Sequence, residues 1–177
     1  MNNTEKGLVD FTGDLHNDVF TQNMKTMHPQ ARAALQAEIA AIEKDKNADE
    51  KAKQYLKWVL KQTEFNFYLA ILPKGRGLIL FKQNLKAVIA IGLNRPTEEI
   101  QSFFPGHNFI LEILNIHSTQ KGEGYKMMQK VIDLAKNLQS PICLWTDSEQ
   151  NVQYFERYGF KNHGKLGEND DYMLIFQ

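Results

Sequence analysis

Apolar positions recur with a helical period up to about residue 65 and with a strand-like pattern afterwards. The stretch Asp14-Leu15-His16-Asn17-Asp18 suits the start of a first helix running to about Met27. Pro29 then opens a second helix, because a proline in the first turn loses no intrahelical hydrogen bond. Its apolar face is Ala31, Leu35, Ile39 and Ile42. Asn47 followed by Glu50 has the spacing of a capping pair and predicts a third helix. The inner face of that helix is Ala52, Tyr55, Leu56, Val59 and Thr63.

Beyond this point the pattern predicts strands over 67–72, 78–81 and 85–93, with Gln83-Asn84 as a hairpin turn. Residues 94–106 hold two prolines and read as a loop with a short helical turn. Residues 109–116 form an almost continuous apolar run, as in a strand buried on both faces. A polar loop over 118–124 leads into a helix with the stripe Met127, Met128, Val131, Leu134, Ala135 and Leu138. Pro141 precedes another buried strand over 142–146. A short helix over 151–158 ends at Gly159, and a strand over 172–176 closes the chain. The alternation predicts a mixed sheet with helices on both faces.

Composition narrows the function classes. The 177 residues are one domain's worth, 1–177, with 1–65 as N-terminal helices and 66–177 as the core. Basic and acidic residues balance at 21 each, which argues against a nucleic-acid partner held by phosphate neutralisation. No apolar run approaches the roughly 18 residues of a membrane span. The first residues lack a secretory pattern. The single cysteine, Cys143, excludes an internal disulfide and a multi-cysteine zinc site, and makes the reducing cytoplasm the default location. It lies in a buried strand and reads as a small hydrophobe. The five histidines show no metal spacing, so no metal is expected.

The strongest local signal is a buried strand followed by Gly122-Glu123-Gly124 and an amphipathic helix. Such glycines serve either a plain strand-to-helix turn or the close approach of a phosphate to free helix amides. The third glycine of a dinucleotide fingerprint is absent, with Met127 in its place, and no Gly-Lys-Ser/Thr follows. The second signal is Asn151-Val152-Gln153-Tyr154-Phe155-Glu156-Arg157-Tyr158-Gly159-Phe160, an aromatic helix with a glycine cap.

Together, in this order and at this distance, the two signals resemble the GNAT superfamily of N-acetyltransferases over roughly residues 66–177. In that family a strand ending near Val-x-Pro leads into Gln/Arg-x-x-Gly-x-Gly/Ala and a helix, and a second strand and helix end in a Tyr-Glu-x-x-Gly-Phe-like motif. Here Ile110 to Gly124 resembles the first motif, and Leu144-Trp145-Thr146 with Asn151 to Phe160 the second. A loop two residues shorter aligns Ile116-His117-Ser118 with Val-x-Pro and restores Gln120 to the Gln/Arg position; without that gap Thr119 falls there. The family's usual tyrosine position holds Phe155, with Tyr154 just before it.

The resemblance implies a GNAT-like, mostly antiparallel mixed sheet with a splayed parallel strand pair. It implies transfer of an acetyl group from acetyl-coenzyme A to a primary amine of a small molecule or peptide. The cofactor-binding set it suggests is Leu114, Asn115, Ile116, Gln120, Lys121, Gly122, Glu123, Gly124, Tyr125, Asn151 and Phe155. Lys121 and Lys126 add positive charge near the phosphates, and a backbone amide near Asn115 or Ile116 holds the developing oxyanion. Glu112 and His117 are the candidate bases. Glu112 is the one ionised side chain in an apolar run, a setting that suits a carboxylate to a base's role. Tyr154 and Tyr158 are the candidate acids, since Phe155 cannot donate a proton. The acceptor pocket falls to residues 14–30, 94–108 and 161–171, the last a polar segment with His163, Glu168, Asp170 and Asp171. A homodimer is an allowed assembly.

Two other readings compete. Phe155 suits a protein that binds acyl-coenzyme A with little catalysis. The amphipathic helices over 30–63 suit an interaction module, which requires their apolar faces to be exposed.

Overall fold

The computed structural model describes residues 18–64, 66–72 and 77–177. Its centre is a seven-stranded sheet in the order β1-β2-β3-β4-β5-β7-β6. The strands are β1 (Phe67–Ile71), β2 (Leu78–Lys82), β3 (Ala87–Asn94), β4 (Ile110–Ser118), β5 (Ile142–Thr146), β6 (Lys161–Leu166) and β7 (Asp171–Phe176). Neighbours run antiparallel except β4 and β5, which are parallel. This is the mixed, mostly antiparallel sheet that the resemblance implies.

Helices α1 (Asp18–Lys44), α2 (Glu50–Gln62), α3 (Glu123–Leu138) and α4 (Glu149–Glu156) divide unequally between the faces. One face, carrying Leu69, Leu80, Ile89, Leu111, Ile142 and Leu174, meets α2, α3, α4 and the second half of α1 in one continuous core. The opposite face has two smaller covers. Met24 of α1 packs with Ala70, Phe81, Val88 and Ala90. Ile100 and Phe104, around a short 3-10 turn, pack with Ile110, Cys143, Met173 and Ile175.

Three expectations from the sequence are corrected. The expected break at Pro29 is absent: α1 runs through it as one helix. The amide that proline lacks removes one rung of the helix, and packing on both sides of it compensates. Met24 anchors one sheet face, and Ala31, Leu35 and Ile39 anchor the other. Between them His28 Nδ1 accepts the Leu69 N–H at 2.9 Å, so α1 also caps the open edge of β1. The expected start at residue 14 lies outside the described residues. Second, α2 is capped by Asp49, whose carboxylate accepts the Lys51 N–H, rather than by Asn47. Asn47 instead donates its N–H to Asp45 in a tight turn. Third, the polar segment 161–171 contains β6, an edge strand whose mostly exposed side chains give it little apolar alternation.

The hairpin after β2 spans four residues rather than two. Asn84 accepts the Lys86 N–H, and Leu85 takes a left-handed φ of 55°. The apolar faces of α1 and α2 are buried against the sheet, with Tyr55, Leu56 and Val59 inside. The interaction-module reading required those faces exposed, and it fails on this packing. Among the described residues no helix is long and apolar enough to cross a membrane.

Candidate active site

The site begins where β4 and β5 separate. Their pairing holds at Leu111–Ile142, Glu112–Cys143 and Ile113–Leu144 and goes no further, although β4 continues to Ser118. At the same point the β3–β4 register slips: Ala90 faces Asn115 and Ile91 faces Ile113. Leu114 is therefore the extra residue of a bulge, which bends β4 away from its parallel neighbour. Two strands that diverge leave unpaired backbone groups along the gap. The resulting cleft has a volume of about 350 Å3.

Residues 113–118 of β4 form one wall, and Leu144, Trp145 and Thr146 of β5 the other. Gly124 of α3 and Asn151, Tyr154 and Phe155 of α4 close its ends. The α3 entry is built for close approach. Gly122 is the N-cap at φ 88°, a left-handed conformation that favours glycine. A Cβ on Gly124 would come 3.0 Å from Ser118 Oγ and 3.4 Å from Tyr154 Oη, so that residue keeps the cleft open. The helix ladder starts with Lys126 N–H to Gly122 O, so the Gly124 and Tyr125 amides precede any intrahelical acceptor. The loop itself is tied down: Thr119 N–H donates to Lys86 O, and Glu123 N–H to Gln120 O.

Glu123 has a different job from the one expected. Its side chain is only 7% exposed and is ion-paired with Lys82 of β2 and with Lys126. Hydrogen bonds from Lys82 first, then Lys126, lower its pKa below the usual carboxylate value. The carboxylate thus anchors the helix start to the sheet. Two ammonium groups against one carboxylate leave the entry net positive. Lys121 and Gln120 are exposed beside it. Tyr125 is 57% exposed, with its ring 5.9 Å from that of Tyr158.

At the other end, Ser148 caps α4, and Asn151 Nδ2 donates to Thr146 Oγ1 at 3.1 Å. Asn151 thus locks the helix to the end of β5 as well as lining the cleft. The helix ends at Glu156, two residues before the expected Tyr158, and Gly159 makes the left-handed turn at φ 94°. Phe155 is 6% exposed and meets Phe160 edge to face, so it is core as much as cleft wall. The Tyr154 and Tyr158 hydroxyls are 2.7 Å apart. Burial, then the Tyr154 hydrogen bond, pushes the Tyr158 pKa up, which keeps its phenol protonated. Tyr158 does not line the cleft; it holds Tyr154, which does.

Glu112 departs from its expected setting. It points to the face away from α3 and α4, is half-buried, and accepts a hydrogen bond from the Asn94 side chain. It is not a wall of the cleft, whereas His117 is. Sequence reasoning did not single out Ser118, Trp145 or Thr146 as site residues. Their signals were their places in the two motif resemblances and at the C-terminal ends of strands flanking a glycine turn. Cys143 is fully buried, its pKa pushed up to about 12 by desolvation and then by Glu112, which makes it unreactive. Among the described residues no group of three or more His, Cys, Asp or Glu side chains could hold a metal ion.

No family profile and no curated protein matches the chain. Similar solved structures include a GNAT-family acetyltransferase from Streptococcus agalactiae, at 14% identity over 89% of each chain with a TM-score of 0.43. The Bacillus subtilis N-acetyltransferase YlbP in complex with coenzyme A is 11% identical over 80% of this chain and 90% of that one, TM-score 0.42. Arabidopsis thaliana Naa50 in complex with the bisubstrate analogue CoA-Ac-MVNAL is 13% identical over 56% and 70%, TM-score 0.40. The architecture is GNAT-like. That statement rests on the chain's own topology: one parallel pair in an antiparallel sheet, opening beside a glycine-led helix. The cleft joins the edges of two parted strands to helix amides and a phenol, and these groups suit an extended amide-bearing ligand with an anionic end.

Proposed function

We propose that this chain is an acetyl-coenzyme A-dependent N-acetyltransferase acting on a primary amine of a small molecule or peptide. The observation that carries this is the parting of β4 and β5 directly beneath the N-terminus of α3. One opening thereby joins an anion site to unpaired strand edges. The amides of Gly124 and Tyr125, with Lys121, would hold a pyrophosphate, and residues 114–117 would pair with a pantetheine arm. Gly124 leaves the room such an arm needs. The bound cofactor supplies an acetyl thioester.

The chain's residues then have limited tasks. A backbone amide near Asn115 or Ile116 donates to the carbonyl oxygen as negative charge grows there. The amine nitrogen bonds to the carbonyl carbon, and the carbon–sulfur bond breaks with its electron pair on sulfur. The nitrogen's surplus proton leaves to His117, or to Glu112 through water. The Tyr154 hydroxyl, held by Tyr158, donates a proton to the sulfur. Phe155 has no proton to give at the position the motif resemblance assigns to a tyrosine, so Tyr154 takes that role. The buried free thiol fits a reducing, cytoplasmic setting.

Calorimetric titration with acetyl-coenzyme A tests the site, and thiol release with an amine panel tests the reaction. Micromolar binding and amine-dependent thiol release are expected. Absence of binding at millimolar ligand would refute the reading. Binding without turnover favours the second one, an acyl-coenzyme A-binding protein, for which buried Phe155 is the specific support.

A further inference from the structure

The cleft opens on the sheet face away from α3 and α4 between two large apolar side chains. Leu114 is 38% exposed and Trp145 is 36% exposed, although both lie on interior strands of the sheet. They are the next residues after Ile113 and Leu144, the last pair in register, so one stands on each lip of the split. Trp145 pairs with Met173, which belongs to the core of that face. Leu114 leans the other way. Its Cδ1 lies 2.7 Å from where a Cβ on Gly77 would stand. Gly92 is paired with Glu112, and the Leu114 side chain covers Gly77. The two covers of the face, around Met24 and around Ile100 and Phe104, lie to either side. Among the described residues this leaves an apolar mouth, with Glu112, already bonded to Asn94, beside it.

We infer that the acceptor is a primary amine whose neighbouring carbon carries an apolar or aromatic group, seated between Leu114 and Trp145. The inference rests on the acetyltransferase reading and names its substrate class. An apolar group gains by leaving water between these two side chains, while the amino nitrogen stays on the side of the cleft and Glu112. A polyamine fits poorly, since its further charges would be desolvated against leucine and tryptophan. The reaction is unchanged: the nitrogen–carbon bond forms, the carbon–sulfur bond breaks, and the sulfur takes a proton.

The test compares kcat/KM by thiol release for phenylalaninamide, glycinamide and spermidine, with acetyl-coenzyme A binding measured separately by calorimetry. Phenylalaninamide is expected to exceed glycinamide by about tenfold or more, the worth of a few methylenes in an apolar site. Trp145→Ala and Leu114→Ala should each collapse that ratio toward one, and neither should favour glycinamide's competitor spermidine. The inference is overturned if spermidine is the best acceptor, if glycinamide matches phenylalaninamide in the wild type, or if both variants keep the ratio. It is also overturned if acetyl-coenzyme A binds and no amine is acetylated. Absence of acetyl-coenzyme A binding brings down the acetyltransferase reading itself, and the calorimetry separates that result from the others.

Discussion

The two halves of β4 obey different physics. Residues 111–113 are paired on both sides, to β3 and to β5, and Ile110, Leu111 and Ile113 are buried. Residues 114–118 keep only the β3 partner, begin with a bulge, and are half-buried or exposed. The first half is sheet core, where packing and ladder bonds maximise stability. The second half has no β5 partner and lines a cleft instead, an arrangement a stable sheet avoids unless something else is to bind there. The contrast separates fold from function within nine residues of one strand.

The largest effect should come from the paired half. Leu111→Ala leaves a cavity in fully buried surroundings and should destabilise the protein by about 3 kcal/mol. Leu114→Ala, three residues on, should cost less than about 1 kcal/mol, because the side chain is partly in water already. Urea unfolding of both checks this, and equal losses would show that the open half is also structural. Next is Gly124→Val, which fills the cleft beside Ser118 and Tyr154. Acetyl-coenzyme A affinity should fall by about a hundredfold while the thermal midpoint moves little. A variant that binds normally would place the ligand elsewhere.

Tyr154→Phe should slow thiol release by about tenfold, below the usual factor for a general acid, because a thiolate leaves readily. Tyr158→Phe should have a smaller effect, through the 2.7 Å bond that holds Tyr154. A larger loss from Tyr158 would reverse the two roles. The smallest effect concerns the anchor of the α3 entry. The Glu123 pKa is lowered by its two lysines, so its stabilising effect is fully present above the ordinary carboxylate value of 4.5. That effect is lost as pH falls through the lower folded value. The stability gap between wild type and Glu123→Gln should be constant at neutral pH and close in acid. A gap independent of pH from 7 down to 3 would mean the ion pairs contribute nothing.

Much of the fold was legible because period and punctuation agree. The α3 stripe Met127, Met128, Val131, Leu134, Ala135 and Leu138 is buried throughout, as its spacing predicts. Gly159 turns the chain where a left-handed residue was required. Strand β6 was not legible, because an edge strand in water needs no apolar alternation. Pro29 misled for a related reason. Local rules put a boundary there, and burial on both sides of the proline outweighed the lost hydrogen bond. Glu112 misled because an apolar run does not say which face a side chain takes or what waits there. The answer was Asn94, 18 residues earlier in the chain.

By itself the sequence determined the alternation of elements, the glycine-led entry to α3, the capped aromatic helix α4 and the inert Cys143. Each follows from local rules of period, capping and glycine geometry that need no distant partner. Only the tertiary structure decided that β4 and β5 stop pairing after Ile113 and Leu144, and that Tyr154 rather than Tyr158 lines the gap. It also decided that Glu123 serves as an anchor, and that Leu114 and Trp145 form the lips of the opening. These are properties of strand register and of side chains meeting across long stretches of chain, and pairwise geometry of that kind is set only when the whole sheet closes on its cores.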